Sequence, residues 1–340
     1  MLEPRFRTTF APLRPLPTVL YLPAMTDNAD GVEHRNDGIP VDGEPQRRWQ
    51  LEQGDEIVPG RYVVERLGGG SEYEAFLAWD DRMLALVVAK CLRPHLVDDA
   101  DSLRRLARES GYLLGLRHPV VVRGFDVVLD GPRPHVVMEH LEGPNLASLL
   151  RRYGPLALHQ LLPLALQICG ALHYLAQERV VHLDVKPRNT IMTAPPRLID
   201  LSVARSFDDA ARIRGQVGTD AYMAPEQCRP GSVPIGPPAD VFGLGATLYH
   251  AVAGGVPFPR PDYVRDRDDA DLDVRFPQLH RQPQPLPREV PVPLAQVVLD
   301  CLAKDPEQRP TFGEIVERLE PVVSGLPTRP VLRRLRPRLR

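Results

Sequence analysis

Val181-His182-Leu183-Asp184-Val185-Lys186-Pro187-Arg188-Asn189 is the stretch on which the fold turns. A long amphipathic helix pattern over 156–179, marked by Leu161, Leu164, Ile168, Leu172 and Leu175, leads into it. Thr190-Ile191-Met192 and then Arg197-Leu198-Ile199-Asp200-Leu201-Ser202 follow it. Asp184, Lys186, Asn189 and Asp200 are thereby set beside short apolar runs, where unpartnered charge is costly. A phosphoryl-transfer site needs this set. It needs a carboxylate to orient a hydroxyl, a cation for the moving phosphoryl group and oxygen ligands for magnesium.

Upstream, Leu67-Gly68-Gly69-Gly70-Ser71-Glu72-Tyr73-Glu74-Ala75 places three glycines between two strand patterns. Two readings fit them, a plain hairpin turn and a phosphate-binding loop. The stretch does not match the G-x-x-x-x-G-K-[ST] pattern. Val87-Val88-Ala89-Lys90 ends an apolar strand on a lysine, sensible if the ammonium meets phosphate oxygens and a carboxylate. Glu109, on the next helix pattern, can supply that carboxylate, although alone it reads as part of a solvated helix face.

Strand patterns cover Tyr62-Val63-Val64, 74–79, 84–90, 120–129 and 135–140. Helix patterns cover 99–116, with Leu103, Leu106, Leu113 and Leu116 near one face, and later 239–253, 292–303 and 311–323. A strand-rich part followed by a helix-rich part predicts an α+β chain of two unequal lobes rather than a doubly wound sheet.

The chain has 340 residues, 43% of them hydrophobic and 25% charged, which excludes a wholly disordered protein. No run of 18 apolar residues exists, so no transmembrane helix is expected. The net charge of −2 gives no overall pull toward nucleic acid or membrane. Cys91, Cys169, Cys228 and Cys301 form neither a C-x-x-C pair nor a metal cluster, and a reducing cytoplasm is the natural setting. Among the 42 basic residues only Lys90, Lys186 and Lys304 are lysines. Such residues mark places where a compact ammonium works and a guanidinium fork does not. Residues 1–56, rich in Pro, Arg and Asp, read as an unstructured leader. The 323–340 tail carries Arg329, Arg333, Arg334, Arg336, Arg338 and Arg340. It reads as a solvated, disordered end or as an arm for an anionic partner.

Taken together, these motifs resemble the eukaryotic-type (Hanks-type) protein kinase family, in its bacterial serine/threonine branch. The resemblance spans about 61–322. It adds to the segments above His118-Pro119 and Val137-Met138-Glu139-His140. It adds Gly218-Thr219-Asp220-Ala221-Tyr222-Met223-Ala224-Pro225-Glu226 and Asp240-Val241-Phe242-Gly243-Leu244-Gly245. It ends with Cys301-Leu302-Ala303-Lys304-Asp305-Pro306-Glu307-Gln308-Arg309-Pro310. The resemblance implies a bilobal kinase-like domain over 57–322. A small antiparallel β lobe with one helix (about 57–138, five strands) would join a mainly helical lobe (about 142–322). It implies ATP as substrate and Mg2+, with Mn2+ as the alternative. It implies phosphoryl transfer to Ser or Thr of protein substrates. Lys90 would contact the α/β-phosphates and pair with Glu109. Asp184 would orient the hydroxyl and Lys186 neutralise charge, while Asn189 and Asp200 hold the metal. Leu67, Gly68, Gly69 and Gly70 would lie over the phosphates. Ala75, Val88 and Ile191 would sandwich adenine, with Met138 as gatekeeper and Glu139 and Leu141 in the hinge. Glu226 would pair with Arg309, and Asp240 would anchor the catalytic loop.

Three positions depart from the family. Tyr73 replaces the third loop glycine, expected to resist positive φ and add bulk over the nucleotide. Ser202 follows the magnesium aspartate and its Leu201 where glycine is usual. Leu183 replaces the arginine that grips an activation-loop phosphate, and 207–218 contains no Ser, Thr or Tyr. Activity independent of loop phosphorylation is therefore expected, with Asp208 and Asp209 as fixed charge. A pseudokinase scaffold and transfer to a non-protein acceptor are the alternative readings.

Overall fold

A computed structural model describes residues 48–260 and 271–326. Strands that bury alternate residues build the first lobe. Its strands are β1 (Glu56–Val58), β2 (Arg61–Gly69), β3 (Tyr73–Asp80), β4 (Ala85–Leu92), β5 (Gly124–Val128) and β6 (His135–Glu139). They form one antiparallel sheet in the order β1-β2-β3-β4-β6-β5. On β4, Val87, Ala89 and Cys91 are buried, while Val88 and Lys90 between them are half-buried. The period of two thus separates a dry face from a face open to the cleft. The dry face packs Ile57, Val63, Phe76, Ala78 and Val137 with Trp49 and Leu51.

Helix α1 (Ala100–Gly115) starts where Asp99 accepts the Ser102 N–H, an N-cap that satisfies one orphan donor. It lays Leu106 and Leu113 on the other face of the sheet, in the larger core that continues into the second lobe. That lobe is built from α2 (Leu146–Tyr153) and α3 (Leu158–Gln177). The two-residue strands β7 (Val180–Val181), β8 (Thr190–Ile191), β9 (Arg197–Leu198) and β10 (Arg205–Ser206) come next. They are followed by α4 (Phe207–Ala211), α5 (Pro225–Cys228), α6 (Pro237–Ala253), α7 (Leu272–Arg275), α8 (Val292–Cys301) and α9 (Phe312–Ser324). Helix α6 is buried on nearly every side, which explains its weak amphipathic signal.

Three expectations need correction. The ordered fold reaches back into the supposed leader. The Trp49 amide donates to Glu74 at 2.8 Å, and its indole Nε1 donates to the Leu92 carbonyl at 2.7 Å. The Arg133 guanidinium lies 5.2 Å from the Trp49 ring centre. With β1 formed from Glu56–Val58, the small lobe has six strands, not five. A Pro/Arg/Asp-rich composition hid one tryptophan that packs on the sheet and one short strand that extends its edge. Second, the strand expected over 120–129 is formed only at Gly124–Val128. Val120 and Val122 instead exchange backbone hydrogen bonds with Leu198, tying the lobes together. Third, α9 runs to Ser324, one residue past the 311–323 helix pattern and into the stretch read as the 323–340 tail. The rest of the leader (1–47) and of the arginine-rich tail (327–340) lie outside the described residues. Among the described residues no helix is long and apolar enough to cross a membrane.

Candidate active site

The cleft brings together side chains from both lobes. Lys90 leaves β4 on the half-buried face, and its Nζ donates to Glu109 Oε1 at 2.7 Å and to Asp200 Oδ1 at 3.1 Å. Burial would lower the Lys90 ammonium's pKa, but Asp200 and Glu109 outweigh it and keep the amine charged. Burial likewise would raise Asp200's carboxyl. Lys90 and hydrogen bonds from Ser202 and Lys90 reverse that and hold it well below the usual carboxylate range. For Glu109 burial wins, and its carboxyl sits above the ordinary value. One ammonium thus serves two acids of opposite tendency.

Tyr73 is drawn into the core rather than left exposed on the glycine loop. It lies in β3, outside the positive-φ positions, 8% exposed, with its ring centre 4.6 Å from Lys90 Nζ. The ring packs in the shared core and offers its face to the ammonium. Sequence reasoning missed this contact because the family's glycine pattern says nothing about where a larger side chain goes.

The glycine segment forms the β2–β3 connection. Gly68 has φ +136°, and a Cβ on Gly69 would meet the Tyr73 carbonyl oxygen at 2.4 Å. These two positions therefore need glycine. A Cβ on Gly70 would meet nothing within 4 Å. Leu67 is 48% exposed at the cleft-side end of β2. Ala75 pairs with Lys90, and Val88 pairs with Met138, so these side chains share one face of neighbouring strands. Ala75, Val88, Met138, Glu139, Leu141 and Ile191 are all half-buried. Glu139 ends β6, and its carboxylate accepts the Arg123 N–H and lies 3.5 Å from Arg197 on β9. Ile191 ends β8, bridged to Asn145 on the floor of the cleft.

The catalytic-loop backbone is held by buried polar side chains rather than by periodic structure. Asp240 of α6, 2% exposed, accepts the N–H groups of His182 and Leu183, each at 2.7 Å. Leu183 and Asp200 adopt φ of +65° and +68°, a conformation non-glycine residues rarely take. Such backbone persists only where its surroundings over-determine it. Here Gln227 Nε2 donates to the Leu183 carbonyl at 2.8 Å, completing the grip on that residue.

Asp184 receives three polar groups. Lys186 Nζ lies 2.7 Å from Oδ2, Thr219 Oγ1 donates to Oδ1 at 2.7 Å, and Asn189 Nδ2 donates to Oδ2 at 3.0 Å. Lys186 also donates to Thr219 Oγ1 at 2.5 Å. The Thr219 hydroxyl therefore links the activation segment to both charged groups, a role the sequence offered only as part of a Gly-Thr motif. Asn189 also donates to the Asp184 carbonyl at 3.0 Å, so its amide nitrogen is committed and its Oδ1 is left as the ligand end. The β8–β9 pairing and the Ile199 N–H bonded to the Asn189 carbonyl set Asn189 close in register to Asp200. One neutral oxygen and one ionised carboxylate fit a magnesium ion, which keeps most of its shell for water and phosphate. Among the described residues no group of three or more His, Cys, Asp or Glu forms a dedicated metal cage.

Asp208 and Asp209 do not reach this constellation. Asp209 is tied to Ser206 at the start of α4, and Asp208 lies 3.6 Å from exposed Arg179. Their negative charge sits in the first turn of α4, with Asp209 near enough to Arg205 to act on it electrostatically. Further down, Glu226 and Arg309 form a bidentate pair at 2.6 and 2.8 Å, 3% and 7% exposed.

Residues 62–319 match the family model described as protein kinase domain. The chain is similar to the serine/threonine-protein kinase PkaA of Streptomyces coelicolor, 35% identical over 71% of this chain and 44% of that protein. It is similar to the serine/threonine-protein kinase PknB of Mycobacterium leprae (32% identical, 77% of this chain, 42% of that protein). PknB of Mycobacterium tuberculosis gives 32% identity over 78% of this chain and 44% of that protein. The chain thus spans less than half the length of these relatives. The helix-topped antiparallel lobe, the helical lobe and the ordered motifs between them agree with this match: the chain belongs to the protein kinase family, on its bacterial serine/threonine branch.

Proposed function

We propose that this chain is a serine/threonine protein kinase that transfers the ATP γ-phosphoryl group to protein hydroxyls. The observation that carries the reading is the convergence of Lys90, Asp200, Asp184, Lys186 and Asn189 on one cleft. Lys90, kept charged by Glu109 and Asp200, binds the α/β-phosphates beneath the loop of Leu67, Gly68, Gly69 and Gly70. Ala75, Val88, Met138 and Ile191 take adenine, with the backbone at Glu139 and Leu141 as its polar edge. Asn189 and Asp200 would hold magnesium, which would supply charge neutralisation at the phosphates. Asp184 orients the acceptor hydroxyl and takes its proton, and Lys186 balances charge on the moving phosphoryl group. Thr219, bonded to both, favours a serine or threonine acceptor next to the activation segment.

The same reading includes activity without activation-loop phosphorylation. Leu183 is 3% exposed in the apolar core where the family's arginine would stand, and 207–218 offers no hydroxyl to modify. A cytoplasmic location and an anionic partner for the tail belong to the proposal as well.

Purified chain with Mg2+ and γ-labelled ATP tests it. Label should enter protein with wild type. Asp184→Asn should lower kcat by roughly a hundredfold to ten-thousandfold, and Lys90→Met should abolish measurable transfer. Thermal stabilisation by ATP without transfer would replace the kinase reading with a nucleotide-binding scaffold. Transfer of α-label would point to a nucleotide-transfer reaction.

A further inference from the structure

The 218–226 segment touches the catalytic groups through Thr219, so something must hold it there. In many switchable enzymes a phosphate does this. Here the residue after Thr219 is Asp220, and its carboxylate is the centre of a charge cluster. Arg275 of α7 donates Nε to Oδ2 at 2.8 Å and Nη2 to Oδ1 at 3.3 Å. Arg260, from the loop after α6, adds Nη1 to Oδ2 at 3.0 Å. The three side chains are 18–21% exposed, so the cluster is only partly screened by water.

The backbone is gripped at the same place. Gln278, 1% exposed, donates Nε2 to the Asp220 carbonyl at 2.6 Å and to the Met223 carbonyl at 3.2 Å. The Tyr222 and Met223 N–H groups both turn back onto the Thr219 carbonyl, at 2.8 and 3.1 Å. Arg275 itself is braced, its guanidinium 5.0 Å from the ring centre of fully buried Phe276. One carboxylate facing two guanidinium groups has the charge pattern of a phosphate in an arginine pocket, but it needs no modification to form.

We propose that Asp220, with Arg260 and Arg275, is a built-in latch that holds Thr219 against Asp184 and Lys186. Asp220 is a positioning residue. It stands in for the charge that the sequence sought at Asp208 and Asp209. The latch rests on the kinase reading for its functional consequence but not for its existence, and two measurements on the full chain separate these.

The first is amide hydrogen exchange over 217–224, which needs no activity. Asp220→Asn and Arg275→Glu should each raise exchange there, and the swap Asp220→Arg with Arg275→Asp should restore protection in part. Unchanged exchange in Asp220→Asn overturns the latch. The second is phosphorylation of a serine-containing peptide by phosphatase-treated chain, with phosphate content checked by intact mass. Asp220→Asn should lose about tenfold or more in kcat/KM for the peptide, with the Kd for ATP unchanged and partial recovery in the swap. Loss of protection with full peptide activity overturns the positioning role. Wild type that dies on phosphatase treatment overturns the substitution of carboxylate for phosphate. Wild type with no transfer at all refutes the kinase reading, while exchange still decides the latch.

Discussion

The two sides of the cleft are built on different principles. On the small-lobe side, Lys90 and Glu109 stand on a regular strand and a regular helix, and their pairing follows from a sheet face meeting a helix stripe. On the large-lobe side, Asp184, Asn189 and Asp200 stand on irregular backbone, two of whose residues have positive φ. Their positions are imposed from below by buried polar groups: Asp240 on two amides, Gln227 on a carbonyl, and the Glu226–Arg309 pair under the segment. Periodic elements set direction cheaply. A loop must be over-determined by partners, each of which is a separate point of failure.

If this contrast holds, the largest stability loss should come from the large-lobe support. Arg309→Met leaves the Glu226 carboxylate buried and unpaired, and should cost about 3–5 kcal/mol in urea unfolding. A loss near zero would mean that the pair is not a strut. Next, Asp240→Asn keeps the shape but turns an N–H₂ toward one of the two amides it now accepts. About 1–3 kcal/mol is expected, with a parallel fall in transfer rate; stability loss with normal kinetics would separate loop position from catalysis.

A smaller effect concerns pH. Asp200's carboxyl is held below its usual range, so its contribution is complete above the unfolded value, about 3.9, and is lost as pH falls from there toward the folded value. Asp200→Asn should therefore flatten the acid limb of the stability curve. Glu109 is raised, the opposite sign, so acidification relieves it and Glu109→Gln should steepen that limb. Matching limbs in the two variants would contradict the division of labour on Lys90. The smallest effect is expected on the outer sheet. Trp49→Phe removes the indole bond to Leu92 while keeping an aromatic ring, for about 0.5–1.5 kcal/mol by thermal or urea unfolding. No change would leave residues 48–51 as passive cover.

The order of motifs, the strand carrying Lys90, the helix carrying Glu109 and the acids of the catalytic loop were all legible in the amino-acid sequence. Each rests on local chemistry: period two, period three to four, and charges beside apolar runs. Even the Glu226–Arg309 pair could be expected, because the resemblance joins residues distant along the chain.

What the tertiary structure alone decided is where side chains without a periodic address point. Tyr73 turns inward beneath Lys90, Trp49 closes the sheet, and Asp220 rather than Asp208 or Asp209 meets two arginines. Asp220 and Arg275 stand 55 residues apart in the sequence, with α5 and α6 between them, and no local rule links them. Only packing brings those charges within hydrogen-bond reach, because burial and distance are properties of the folded chain and not of its order.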